Sequence, residues 1–298
     1  MAAQVPPAEA SPLIELVRQE LSVPVDPRVT AMAEAIAAPY RDAARAVLFY
    51  GSCLREEALE GMMLDFYLIV SDYQAAYGNG WYAYANRILP PNVFPFQHDG
   101  LAAKYAVLSE ADFHRMCGPE AGDVSVWARF AQPSRIAWAA DDAARETAIA
   151  STSRAAPTLL GYTRPLVPDA EPLDLWREGF RRTYGSELRA ERDDRPAKIV
   201  AQDPDRYVAF GKAAQAEGLP AIVDAAGAWE RFRKRGKRLS ILRLSKAITT
   251  FTGGADYLAW KINRHSDANI VVKPWQRRWP LLGALVLLPR LLREGAVR

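Results

Sequence analysis

Met63–Val70, MLDFYLIV, is apolar almost without interruption, and Asp65 is the one charge in the run. Such a stretch predicts a strand covered on both faces. Upstream, DPRVTAMAEAIAAPYRDAARAVLFYG predicts a helix with Asp26 as its cap and Pro27 at its first position. That helix delivers the chain into a short strand, AVLFY, at Ala46–Tyr50. Lys104–Met116 predicts a third strand passing into a helix capped by Ser109, and Ala128–Asp141 a turn into a fourth strand. From Asp142 to about Gly254 apolar residues recur at helical spacing, with Gly and Pro between the segments. No internal repeat is visible.

The expected fold class is therefore α+β: a small mixed sheet with helices, then a helical domain, then a basic amphipathic C-terminal segment. The expected division is an N-terminal extension over 1–28, a sheet-bearing domain over 29–155, a helical substrate domain over 156–254 and the C-terminal segment over 255–298. The boundary between the two halves is placed near Arg154–Thr163, with a cleft between them.

Composition narrows the classes. Half of the 298 residues are hydrophobic and 24% are charged, as in an ordinary globular protein. Two cysteines, Cys53 and Cys117, are too few for a disulfide framework and match no zinc spacing. The N-terminus lacks the pattern of a secretory signal or a transit peptide, so a cytoplasmic protein is expected. Net charge is +3, but it is unevenly spread. Residues 229–298 carry 16 Lys and Arg against 4 Asp and Glu, whereas the first 228 carry 22 against 31. A basic C-terminal part on an acidic body points to an anionic partner.

The chemistry centres on LFYGSCLREEALEGMMLDFYLIVSDY, Leu48–Tyr73. Gly51-Ser52 after a buried strand suits phosphate: Gly permits close backbone approach, and Ser supplies a hydroxyl. Asp65, at the start of a neighbouring strand, could hold Mg²⁺ beside the same phosphates, since Mg²⁺ takes one or two carboxylates plus phosphate oxygens and water. The arrangement resembles the polymerase-β-like nucleotidyltransferase superfamily. Tyr67 stands where that superfamily places a second carboxylate, which leaves Asp72, Glu56 or Glu57 as substitutes.

Later segments, in order, resemble the mitochondrial-type phosphatidate cytidylyltransferase family. They are YGSCL, LDFYLIVSDY, WYAYANRILPPN, KYAVLSEADF, RFAQPSRI and TYGSELRAERDDRPAKIV, within roughly residues 45–210. Tyr82 replaces the family's His in the aromatic-Asn stretch, NVFPF its His-Tyr-Ser, and Ser-Glu its Gly-Asp. The resemblance implies a nucleotidyltransferase domain over 29–155 and an enzyme of phospholipid biosynthesis. The reaction would be Mg²⁺-dependent transfer of a cytidylyl group from CTP to phosphatidic acid, giving CDP-diacylglycerol and pyrophosphate. It further implies Gly51 and Ser52 on the triphosphate, Asp65 and Asp72 as metal ligands, and Lys104 and Arg129 neutralising the triphosphate. Glu187 would orient a basic group or assist the metal, and Arg189 and Lys198 would hold the acceptor phosphate. Another phosphorylated acceptor, or a nucleotide- or lipid-binding pseudoenzyme that catalyses nothing, are the alternatives, the latter supported by Tyr67. Trp81 and Tyr184 are expected in the core; His98, His114 and His265 have no ligand-like spacing and are assigned no role.

WERFRKRGKRLSILRLSKAI carries eight Lys and Arg from Arg231 to Lys246. The apolar part of KPWQRRWPLLGALVLLPRLLREG is too short to cross a bilayer. Trp275 and Trp279 flank it beside Arg277 and Arg278, a composition that favours a lipid interface. Residues 230–298 are expected to rest on the inner face of the cell membrane, with no nucleic-acid partner; the alternative is a helix packed on the protein's own core.

Overall fold

The structure is a computed structural model that describes residues 11–55, 59–186 and 195–250. Five strands form one mixed sheet: β1 (Ala44–Tyr50), β2 (Met63–Val70), β3 (Asn92–His98), β4 (Leu101–Ser109) and β5 (Ser134–Ala139). Their order is β3-β4-β2-β1-β5. β2 and β4 run parallel, and the other neighbours are antiparallel. The α+β expectation holds, with one strand more than the sequence reading supplied.

Helix α1 (Pro12–Leu21) and helix α2 (Pro27–Ala37) precede the sheet. The Asp26 side chain accepts from the Arg28 backbone N–H and Pro27 occupies the first position, as expected. Val29, Met32, Ala33 and Ile36 fall on one stripe of α2 and are fully buried. They share a cluster with Val47 and Phe49 of β1 and with Leu64, Phe66 and Leu68 of β2. The alternate residues of the same strands, Leu48, Tyr67 and Ile69, belong to a second cluster on the opposite face. Both faces of β2 are thus covered, which is why its sequence barely alternates.

The crossover from β2 to β4 contains α3 (Tyr73–Tyr77), α4 (Trp81–Ile88) and β3. α4 is inverted for a surface helix. It buries Ala83, Ala85 and Asn86, and exposes Trp81, Tyr84 and Ile88. Trp81, expected in the core, is 64% exposed. The Asn86 side chain donates to the Val107 carbonyl of β4 at 2.8 Å, so a buried amide holds the small face down. After β4, the Ser109 hydroxyl accepts from Asp112 N–H at the start of α5 (Glu110–Cys117), as expected. Short α6 (Trp127–Phe130) leads into β5.

The remaining helices are α7 (Asp142–Thr152), α8 (Ala155–Thr163), α9 (Pro172–Ser186), α10 (Arg195–Ala201), α11 (Pro204–Glu217) and α12 (Ala225–Thr250). The expected boundary near Arg154–Thr163 is no linker: α8 occupies it, with both its leucines fully buried. Gly179 of α9 admits this close contact, since a Cβ there would meet the Thr163 hydroxyl at 3.0 Å and the Leu159 side chain closer still. One apolar cluster runs from Tyr67 and Leu108 of the sheet through Trp127 to Leu159, Trp176 and Tyr207 of the helices. The sheet and the helical half therefore share a core.

Of the expected N-terminal extension over 1–28, the described part, from residue 11 on, contributes to that core. Leu13, Val17 and Leu21 of α1 are buried in the same cluster. Glu217 accepts from Ser11 Oγ at 2.5 Å and from Leu13 N–H at 2.8 Å, tying α1 to the end of α11. Glu20 of α1 pairs with buried Arg206 of α11, whose guanidinium lies 4.2 Å from the Phe210 ring centroid.

α12 spans the molecule. At its start the Trp229 indole donates to the Tyr162 carbonyl at 3.0 Å, and Phe232 packs on Tyr162. Toward its end Arg243 donates to the Pro90 carbonyl at 2.9 Å and pairs with Asp123 at 2.9 Å. Lys246 donates to the Leu89 carbonyl. The C-terminal segment expected at the membrane, 255–298, with Trp275 and Trp279, lies outside the described residues. Among the described residues, no helix is long and apolar enough to cross a membrane.

Candidate functional site

The corner at Gly51 follows from strand register. Tyr50, the last residue of β1, sits opposite Asp65 of β2, and Asp65 sits opposite Lys104 of β4. Directly paired residues point to one face of a sheet, so Tyr50, Asp65 and Lys104 form a row across three strands. That face is the one carrying Tyr67 and Ile69, toward the helical half.

Gly51 has φ +95°, in the left-handed region, and turns the chain out of β1. It also lies against the carboxylate: a Cβ on Gly51 would be 3.4 Å from Asp65 Oδ2. Ser52 opens a tight turn, Ser52–Arg55, immediately beyond. The expected glycine-carboxylate corner is therefore formed, with Ser52 adjoining it.

Lys104, expected on a triphosphate, instead pairs with Asp65, its Nζ 2.8 Å from Oδ1. Their side chains are 29% and 21% exposed, so the pair reaches solvent from the sheet face. Arg129, on α6, acts on the Tyr50 phenol. Its guanidinium also donates to the Ser125 carbonyl, which holds it along α6. Burial pushes the Tyr50 hydroxyl well above its ordinary pKa, and the Asp65 and Tyr67 fields add to that, with Arg129 acting the other way. Tyr50 is thus a neutral phenol. Burial also raises the Cys53 thiol, as does the Asp65 carboxylate, so Cys53 is a neutral neighbour and no thiolate nucleophile.

Tyr67, in place of a second carboxylate, is 3% exposed. Its ring packs on Tyr50 at 5.4 Å and on Phe130 at 5.2 Å. Asp72, expected as a metal ligand, is not brought to Asp65. It lies beyond the far end of β2, where its Oδ1 caps α3 by accepting from Gln74 and Ala75 N–H at 2.8 and 2.9 Å. Lys198 is exposed on α10, which packs on α9 and α11. Glu56, Glu57, Glu187 and Arg189 lie outside the described residues.

Among the described residues, no group of three or more His, Cys, Asp or Glu side chains is placed to hold a metal ion. The donor set at Asp65 fits a single Mg²⁺ that brings phosphate and water ligands with it, since one carboxylate suffices for such an ion. Among the described residues, no second carboxylate stands beside Asp65 to hold a pair of ions. The assembled corner offers two cations, one carboxylate and a backbone turn without a side chain, a net positive surface suited to an anion.

Sequence reading missed Tyr50 and Cys53 as neighbours of Asp65. The antiparallel register of β1 on β2 contained the signal, because a strand ending at Tyr50 must face the start of the next one. No family model matches this chain, and no curated protein matches it at a significant level.

Proposed function

We propose that the Gly51–Asp65 corner binds the phosphates of a nucleoside triphosphate and supports Mg²⁺-dependent nucleotidyl transfer, with CTP as donor and phosphatidic acid as acceptor. The observation that carries this reading is the close approach of left-handed Gly51 to the Asp65 carboxylate, with Lys104 on the same row. In the reaction a phosphomonoester oxygen of the acceptor forms a bond to the α-phosphorus, and the bond to pyrophosphate breaks. That oxygen is largely ionised near neutral pH, because a phosphomonoester's second pKa is about 6. No general base is needed, and the work falls to alignment and charge neutralisation. Asp65 would hold the ion, whose chemistry is to neutralise phosphate charge. Lys104 turns from Asp65 to the phosphates as they arrive, and Arg129 adds a second positive charge. The peripheral membrane association expected of the basic C-terminal part suits a lipid acceptor.

A second reading, a binder without turnover, is favoured by Tyr67, whose buried ring occupies the position of a second carboxylate. One experiment separates the two. The full chain is incubated with Mg²⁺, phosphatidic acid and each labelled nucleoside triphosphate in turn. Label in the organic phase with CTP alone supports cytidylyl transfer, and label on a water-soluble acceptor supports a different acceptor. Nucleotide binding without turnover, unchanged in Asp65→Ala, supports the binder. Absence of any nucleotide binding refutes both.

A further inference from the structure

Away from Asp65, the first half of α12 lines a surface cavity of about 480 Å³. Arg231, Lys234, Arg235 and Arg238 all line it. Their spacing, i, i+3, i+4 and i+7, is that of one helical face. Among the described residues, no carboxylate lines the cavity. Three acids stand at its margin: Asp224 meets Arg231 at 3.1 Å, Glu230 meets Lys234 at 3.2 Å, and Glu120, next to lining Ala121, acts on the Tyr162 hydroxyl. Asp224 and Glu120 are exposed, and Glu230 is half-buried. Four like charges on one face of a helix repel one another. Asp224 and Glu230 offset part of that charge on Arg231 and Lys234, and an anion in the cavity would relieve the repulsion that remains.

The cavity is also built on a fixed frame. Phe232 and Tyr162 form an apolar wall, their ring centroids 5.0 Å apart. α12 cannot roll, because Trp229 is bonded to Tyr162 on one side and Gly236 sits directly against the Ser186 backbone on another. The opposite wall is Gly122, in the loop before α6. The Arg235 guanidinium rests across it: a Cβ on Gly122 would stand 2.9 Å from the guanidinium carbon. Any side chain at 122 would displace that group from the cavity.

We propose that this cavity is a second anion site, one that takes the phosphate monoester of a ligand with an apolar portion. Arg235 and Arg238 grip the phosphate oxygens as forks, Lys234 adds a point charge, and Tyr162 with Phe232 receive the apolar part. The inference goes beyond the nucleotidyl-transfer reading and does not require it, since no lining residue belongs to the Asp65 corner. A lipid headgroup and a free phosphate ester share this chemistry.

The test uses the full chain with two probes: inorganic phosphate, followed by titration calorimetry, and phosphatidylcholine vesicles with and without phosphatidic acid, followed by sedimentation. Three variants are compared. R235Q/R238Q removes two charges from the cavity face. R233Q/K237Q removes two charges from other faces of the same helix. G122V keeps every charge and displaces Arg235. Affinity for at least one probe should fall about tenfold in R235Q/R238Q and in G122V, and stay near the parent value in R233Q/K237Q. Vesicle binding that follows this pattern assigns the phosphate to lipid; a pattern confined to inorganic phosphate assigns it to a soluble ester. Equal losses in the two double variants, no loss in G122V, or binding of neither probe would overturn the site.

Discussion

The pair at the centre of the candidate site can be weighed by a double-mutant cycle on Asp65→Asn and Lys104→Met. Lys104 Nζ lies 2.8 Å from Asp65 Oδ1, with both side chains roughly a quarter exposed. At an effective dielectric of about 20 the gross attraction over that distance is about 6 kcal/mol. Desolvation offsets most of it. Exposed pairs contribute about 0–1 kcal/mol, and removing one partner of a fully buried pair costs about 3–5 kcal/mol. A pair of intermediate exposure should couple by about 2 kcal/mol, close to a thirtyfold change in the folding equilibrium. The assay is urea denaturation of the parent, both single variants and the double variant, each with and without CTP and Mg²⁺. Without ligand the coupling should be near that value. With ligand it should fall, because Lys104 then serves the phosphates. A coupling under about 0.5 kcal/mol in the free protein is within ordinary additivity and would refute the claim that the pair organises the corner.

Further outcomes follow from other parts of the fold. Gly51→Ala should lower stability by about 1–2 kcal/mol, because an L side chain at φ +95° is strained. It should weaken CTP binding as well, since the new Cβ meets Asp65; an unchanged urea midpoint would contradict the geometry. Glu20→Ala strands the Arg206 guanidinium in the core and should cost about 3–5 kcal/mol, most of it recovered in Glu20→Leu/Arg206→Met. Burial, with Arg243 nearby, pushes the Lys246 ammonium down to about 7. The unfolded chain then holds more protons between about pH 7 and its ordinary value of about 10.4, so stability should rise with pH across that window. Lys246→Met should flatten the rise, as urea midpoints measured along a pH series will show.

Much of the sheet was legible because its signals are local. Asp26-Pro27, the Ser109 cap and the unbroken apolar run of β2 each fix an element within a few residues. β3 was missed because Pro95 interrupts NVFPFQH, and Pro is tolerated only where no further strand needs its N–H. β3 is an edge strand, with Pro95 opposite Lys104, and an edge is where a sheet tolerates proline. α1 looked dispensable because its ten residues, although amphipathic, find their partners in β5, α7 and α11, far along the chain. α4 contradicted its own pattern, since its buried side rests on alanines and one asparagine instead of its large apolar residues. The corner itself was half legible. Gly51, Ser52 and Asp65 were readable from a local hairpin, whereas the contact of Asp65 with Lys104 depends on a parallel register set across a crossover of some thirty residues, which no local pattern encodes.

α12 works like a tie-beam in a roof truss. It is fastened to Tyr162 in the helical half and to Leu89, Pro90 and Asp123 beside the sheet. Two-lobed enzymes commonly admit a substrate by swinging apart and then closing over it. Here such a swing would have to break those bonds and split the common core as well. A molecule reaching Asp65 therefore meets a backbone frame already set, with side chains such as Lys104 left to adjust, and selectivity would have to come from fit on arrival instead of from closure afterwards.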